Sequence, residues 1–192
     1  MDINPEPNLA PPGAGLPKIE LYIARLLFAL QRLRGSRDDF NARFQEERGK
    51  IRVLTGSCNA GSGTKRVLIK RVPGLEDSSR YWSVAMTLEH LRIIHGSIIR
   101  TIEALAGGVV PKVVASTARV KPSPQATMDV ASEYERSCDR LLAAVAAVPD
   151  LNTPLRYAHP WFGPLNAAGW HALAASHIKI HRVQIERILQ GL

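Results

Sequence analysis

The sequence predicts an all-α protein: an up-down four-helix bundle with an extra short helix after the first helix and long connecting loops. Three observations carry this prediction. Four long stretches repeat apolar residues at i, i+3, i+4 and i+7, the spacing of one helix face. Strand-like alternation is nearly absent. The 192 residues are 45% apolar and 22% charged, as expected of one ordinary globular domain with a sizeable core.

The same composition narrows the function classes. No run approaches the roughly 18 apolar residues of a membrane span. The N-terminus carries acid and prolines where a signal peptide would carry basic and then apolar residues, so a cytoplasmic location is expected. Cys58 and Cys138 make no disulfide framework, and no CxxC occurs. The formal net charge of +8 admits nucleic acid or an anionic substrate. However, Arg32, Arg34 and Arg37 run straight into Asp38 and Asp39, and Arg43 into Glu46 and Glu47. No continuous basic stripe with interleaved aromatics emerges. The charge reads as a basic, solvated surface, and nucleic acid is not an expected partner.

Residues 1–17 hold Pro5, Pro7, Pro11, Pro12 and Pro17. Such a segment buries too little apolar surface to offset its ordering entropy. A loose or extended arm is expected ahead of a single domain at 18–192, with packing along the domain or a partner as the other option. The first helix is expected from Lys18 to Arg34, with Ile19, Ile23, Leu26, Leu27, Leu30 and Leu33 at helical spacing. Pro17 leads in and Gly35 stops it. Its apolar residues spread over more than one face, which is compatible with a dimer seam. Ser36 then reads as an N-cap with Asp38 and Asp39 in the first turn. It opens a second, shorter piece from Arg37 to Arg52 whose apolar contacts are Phe40 and Phe44.

The stretch from Gly56 to Thr64 is expected to be a flexible loop. Gly56 and Gly61 fit G-x-x-x-x-G, but Ser62 stands where a phosphate loop needs lysine and no strand–helix context surrounds it, so the phosphate reading fails. Arg66 to Val72 alternates weakly, as a short extended piece ended by Pro73-Gly74. The second main helix is expected to start at Asp77, Ser78 or Ser79 and stop at Gly107. It is apolar around much of its circumference, as the buried part of a bundle would be. Residues 111–124 are long for a tight hairpin, so part of this connection must cross or wrap the bundle. The third helix is expected from Pro124 or Met128 to Val148, with Tyr134, Leu141 and Val145 on its stripe. The last is expected from about Leu165 to Leu189, with Gly163-Pro164 as cap and first position.

That last helix carries His177 and His181. Residues four apart share a helix face, with Cβ atoms roughly 5–6 Å apart, so two imidazoles can approach one metal ion from one side. Trp170, Leu173, Ala174, Ile185 and Ile188 lie on the same stripe, so the pair points into the fold. His90, on an apolar face of the second main helix, is the candidate third ligand. A single buried histidine is more often a core residue than a ligand. Three on inward faces, two of them in H-x-x-x-H, favour a metal site between facing helices. Three neutral imidazoles leave coordination positions open, the mark of catalytic rather than structural sites. Ile178 stands where a zincin peptidase carries its glutamate, which excludes that class. Glu89 projects about 100° away from His90 around the helix, so it reads as a supporting or surface group. His95 and His171 fall off the triad positions. The loop from Asn152 to Gly163 enters at the N-terminal end of the helix bearing the histidine pair. His159 and Trp161 are therefore candidates for the site mouth, the alternative being that Trp161 and Phe162 only plug the bundle end.

The stretch SSRYWSVAMTLEHLRII (Ser78 to Ile94), with its W-S-x-x-x-x-x-E-H-L core, resembles the second-helix signature of the DinB-like family. The stretch HPWFGPLNAAGWHALAASHIKIHRVQIERI (His159 to Ile188) resembles that family's final helix and its lead-in, and both are similar to a bacterial subfamily. The resemblance spans about Leu75 to Ile188 and, more weakly, the first helix. It implies a four-helix bundle, often a homodimer, with His90, His177 and His181 as ligands of a divalent metal and water in the open positions. Nickel or zinc are the metals implied, with iron or manganese as alternatives. It also implies metal-dependent hydrolysis or transfer involving a low-molecular-weight thiol, on a small-molecule substrate. The alternative is a non-catalytic metal- or ligand-binding stress-response protein. The fold does not decide among these, because function resides in the site.

Overall fold

The computed structural model describes residues 6–192. Pro5 and the first residues of the expected arm lie outside that range. Ten elements follow in order: α1 Lys18–Arg34, α2 Arg37–Gly56, α3 Ala60–Thr64, β1 Val67–Leu68, β2 Tyr81–Trp82, α4 Val84–Ala106, α5 Val130–Ala147, β3 Tyr157–His159, β4 Gly163–Leu165 and α6 Ala167–Gln190. The architecture is a four-helix bundle. Helix α4 packs against both α5 and α6, and α2 packs against α6. Ile51, Leu91, Ile102, Leu141, Ile178 and Ile185 meet in its core, all fully or almost fully buried.

The expected roles of the first two helices are exchanged. Helix α2 runs to Gly56 and buries Phe40, Phe44 and Ile51, so it is the bundle member. Helix α1 buries only Phe28 among its residues and lies outside the bundle. Both segments carry an apolar stripe, and the pattern alone does not say which stripe finds a partner within the chain. The Ser36 cap is present as a full capping box with Asp39.

Three boundaries also move. Residues 77–79 form one tight turn, and β2 follows it, so α4 starts only at Val84, capped by Ser83. Tyr81 and Trp82 pair antiparallel with Leu68 and Val67. The last helix starts at Ala167 under an Asn166 cap, because Gly163 and Pro164 belong to a hairpin with residues 157–159. The expected loop at Gly56 to Thr64 contains α3, held by an Asn59–Ser62 capping box. Strands of two or three residues are too short for a period of two to show in sequence.

The described part of the arm packs along the domain. Ala10 N–H donates to Asp77 (2.8 Å), Glu6 pairs with Arg66 (2.6 Å), and Leu16 is buried. No helix among the described residues is long and apolar enough to cross a membrane. Cys58 and Cys138 are both free thiols.

Candidate metal centre

Helix α4 presents His90 and helix α6 presents His177 and His181 to a common point. One ring nitrogen from each lies within 4.8 Å of the others. His177 Nε2 is 3.4 Å from His90 Nε2 and 3.1 Å from His181 Nε2. Four ligands at the usual zinc–nitrogen distance would sit about 3.3 Å apart at the corners of a tetrahedron, so these separations suit one ion.

The outer nitrogens set which lone pairs are available. His90 Nδ1–H donates to Val120 O (2.7 Å). His181 Nδ1–H donates to Gln184 Oε1 (2.6 Å), and Gln184 Nε2 in turn donates to Ser79 O (2.7 Å). A neutral imidazole that donates from Nδ1 keeps its lone pair on Nε2. Two such lone pairs therefore face His177 Nε2, which can hydrogen-bond to only one of them. A bound cation would satisfy all three, and oriented outer hydrogen bonds are the usual support of a metal-ligating histidine. The donor set fits a divalent metal. Of the triad's outer nitrogens, only His177 Nδ1 is buried without a partner.

Burial keeps the rings in the ligand form. It is the largest influence on all three, holding His90 down to about 4 and His177 and His181 well below the ordinary histidine value. Trp82 closes one side, nearly parallel to the His181 ring (centroids 6.2 Å, 8°) and 5.2 Å from that of His90. The connection 111–124 wraps over the same region, as its length requires.

The triad lies at the wall of a cavity of about 640 Å³ that His159 and Trp161 also line. This volume is in the range of small-molecule sites, roughly 300–1,000 Å³. His159 stacks on Phe162 (5.2 Å) and meets Trp170 edge-on (5.5 Å). Its Nδ1 accepts from Trp161 N–H (3.1 Å), so its proton sits on Nε2, the opposite tautomer to His90 and His181. Burial lowers its pKa to about 4.

The histidines placed off the triad by sequence stay off it. His95 Nδ1 donates to Ser137 Oγ (2.9 Å), and His171 Nε2 donates to Asn41 Oδ1 (3.0 Å). Glu89 points away and accepts from Ser123 N–H (2.6 Å), fastening the connection instead. Sequence reasoning missed Gln184, Val120, Glu76 and Lys121. Glu76 is the carboxylate among the described residues lining the cavity. It is buried and paired with Lys121 Nζ at 3.0 Å. Burial works to raise its carboxyl, but Lys121 and Thr117 hold it below the usual range. Gln184 lies at i+3 from His181, a spacing that could have drawn notice. The other three approach through tertiary contacts and leave no local signal.

No curated protein matches the chain. A crystal structure described as TT2238, a four-helix bundle protein, superposes with a TM-score of 0.58 at 20% identity, covering 79% of this chain and 98% of that one. That likeness concerns the fold. A family model, the DinB superfamily, matches residues 24–185, which include all three histidines. The chain belongs to the DinB superfamily.

Proposed function

We propose that this protein is a divalent-metal-dependent enzyme that acts on a small molecule, by hydrolysis or by transfer involving a low-molecular-weight thiol. The observation that carries the reading is the convergence of three imidazole nitrogens on the wall of a ligand-sized cavity. His90, His177 and His181 would hold the metal, and three imidazoles suit nickel or zinc better than the oxygen-preferring manganese, with iron between. When bound, such a metal lowers the pKa of water or a thiol at its open positions.

The chain's own groups have separate parts. Val120 and Gln184 keep His90 and His181 in the ligating tautomer. His159, with its proton on Nε2, is a hydrogen-bond donor for a bound substrate rather than a fourth ligand. Trp161, Trp170 and Leu173 supply apolar wall. The free state of Cys58 and Cys138 suits a reducing cytoplasm.

One observation favours a second reading, a non-catalytic metal or ligand binder. Glu76 is engaged by Lys121 and Thr117, which leaves no free carboxylate base among the described residues lining the cavity. The deciding experiment is elemental mass spectrometry on the wild type and His181→Ala, followed by turnover assays of the metal-loaded wild type with ester, amide and thiol–electrophile substrates. Near-stoichiometric metal lost in the variant, with metal-dependent turnover, supports the enzyme. Bound metal without turnover of any class supports the binder. Absence of metal after incubation with divalent ions overturns both metal readings.

A further inference from the structure

The cavity beside the triad is drawn out into a channel. Helix α4 lines it from His90 to Ala104, a span of about 21 Å at 1.5 Å per residue. Helix α6 lines the same stretch in the opposite sense, from His181 back to Trp170. The connection that follows α4 returns along its length. At one end Val120 O accepts from His90 Nδ1 (2.7 Å). At the other, Tyr157 Oη donates to Val113 O, and Trp170 Nε1 donates to Tyr157 O (3.3 Å). A volume of about 640 Å³ spread over that length leaves a mean cross-section of about 30 Å². That is a slot for an extended chain rather than a bowl for a ring system.

Between its ends the wall is mostly apolar, with Ile94, Ile98 and Ala104 on α4 and Leu173 on α6. Two hydroxyls there are turned away. Thr101 Oγ1 donates to Ser97 O (2.9 Å) and Ser176 Oγ to Ala172 O (3.1 Å). Charged groups collect at the ends. The triad stands at one, with Glu76 and Lys121 paired beside it (3.0 Å). Arg100 and Lys112 stand at the other, both exposed. Neither pairs with an acid among the described residues, and a mouth lined by one sign of charge attracts the opposite sign. Arg100 lies about 15 Å beyond His90 along α4. An extended chain advances about 1.2 Å per bond, as the three backbone bonds of a residue span 3.3–3.6 Å. About twelve bonds therefore bridge the triad and Arg100.

We infer that the channel takes a long-chain amphiphile lengthwise, with a reactive polar end at the triad and a carboxylate end at Arg100 and Lys112. This names the substrate class of the proposed function and rests on that reading for calling the ligand a substrate. The fit of chain to channel does not depend on it.

Calorimetry with linear carboxylic acids that end in a methyl ketone tests the inference on the protein as purified. Such probes offer the triad a carbonyl but no bond to hydrolyse, so binding is read apart from turnover. Affinity is expected to rise by about three- to fourfold for each added methylene up to a chain of about fourteen carbons, and then to level off. A flat series overturns the inference, and so does one that keeps rising at the same rate beyond that length. Ser97→Phe places a ring halfway along the channel. It should bring the long probes down to the affinity of a six-carbon one, with metal content and helical circular dichroism unchanged. Arg100→Glu with Lys112→Glu, both on the surface, should weaken the acids about tenfold and leave the neutral primary amides of the same probes alone. Equal affinities of the acids for wild type and this double variant overturn the assigned orientation. Length-dependent binding without turnover of the matching methyl esters upholds the channel and moves the protein to the binder reading. Turnover of short esters without binding of the long probes upholds the enzyme and overturns the channel.

Discussion

Lys121 Nζ lies 2.9 Å from Ser79 Oγ across 42 positions of chain. The contact clasps the two segments on which the triad's outer hydrogen bonds end. Val120, beside Lys121, accepts from His90. Ser79 accepts through its carbonyl from Gln184, which holds His181. The same ammonium meets Ser78 Oγ at 2.8 Å and Glu76 at 3.0 Å. One cation therefore braces the segments that accept from His90 directly and from His181 through Gln184.

Replacing Lys121 by Met keeps the stem and removes the clasp. Loss of outer-shell support of this kind typically costs 10–100-fold in metal affinity, and a fall of about that size is expected in competition with a chromophoric chelator. Glu76 would also be left buried without its cation, at a cost of roughly 3 kcal/mol. Adding Glu76→Gln should restore stability but not affinity, which separates the two effects. An unchanged affinity in Lys121→Met would show that the segments hold themselves.

Gln184 is fully buried and joins His181 to the backbone. Gln184→Met fills the same space but accepts no proton from His181 Nδ1. Metal affinity should drop about 10–100-fold, whereas Gln184→Glu, which keeps an acceptor, should lose much less. Equal losses in the two variants would argue that packing, not the hydrogen bond, is what His181 needs.

Phe44 is 1% exposed and meets His95 edge-on at 5.3 Å, within the core that α2 completes. Phe44→Ala should destabilise by about 3–5 kcal/mol, the usual cost of such a cavity. Ile19→Ala on the outer face of α1 should change monomer stability by no more than about 0.5 kcal/mol. Urea unfolding in dilute solution measures both. A reversed ranking would return α1 to the bundle.

His171 gives an acid limit to stability. Burial, with Arg37 nearby, lowers its pKa from 6.5 to about 4. The unfolded chain then binds the extra proton first as pH falls. Stability is complete above pH 6.5 and declines as pH falls toward 4, by roughly 3 kcal/mol for this residue at about 1.4 kcal/mol per unit. His171→Gln keeps a donor for Asn41 but cannot titrate, so its urea midpoint should fall less between pH 7 and 4.5. Parallel curves for wild type and variant would remove His171 as a cause.

Much of this was legible because it is local. Helical spacing located α1, α2, α4, α5 and α6, and it put His90, His177 and His181 on inward faces. The hairpin at 157–165 and the pair of 67–68 with 81–82 were not legible, since strands of two or three residues carry no period. Nor was the cap of α6: Gly163-Pro164 has the composition of a helix start, but Asn166 caps the helix after the hairpin has closed.

By itself, the sequence determined which segments are helices and which of their faces are apolar, because both follow from steric and periodic rules within one turn or two. Tertiary structure alone decided which face is covered. It gave α2 rather than α1 to the bundle. It also brought Val120, Ser79 and Lys121 to the histidines from segments of the chain remote from His177 and His181. The physical reason is that a stripe specifies the need for a partner and not its identity, and that a hydrogen-bond acceptor on the backbone is the same atom in every residue.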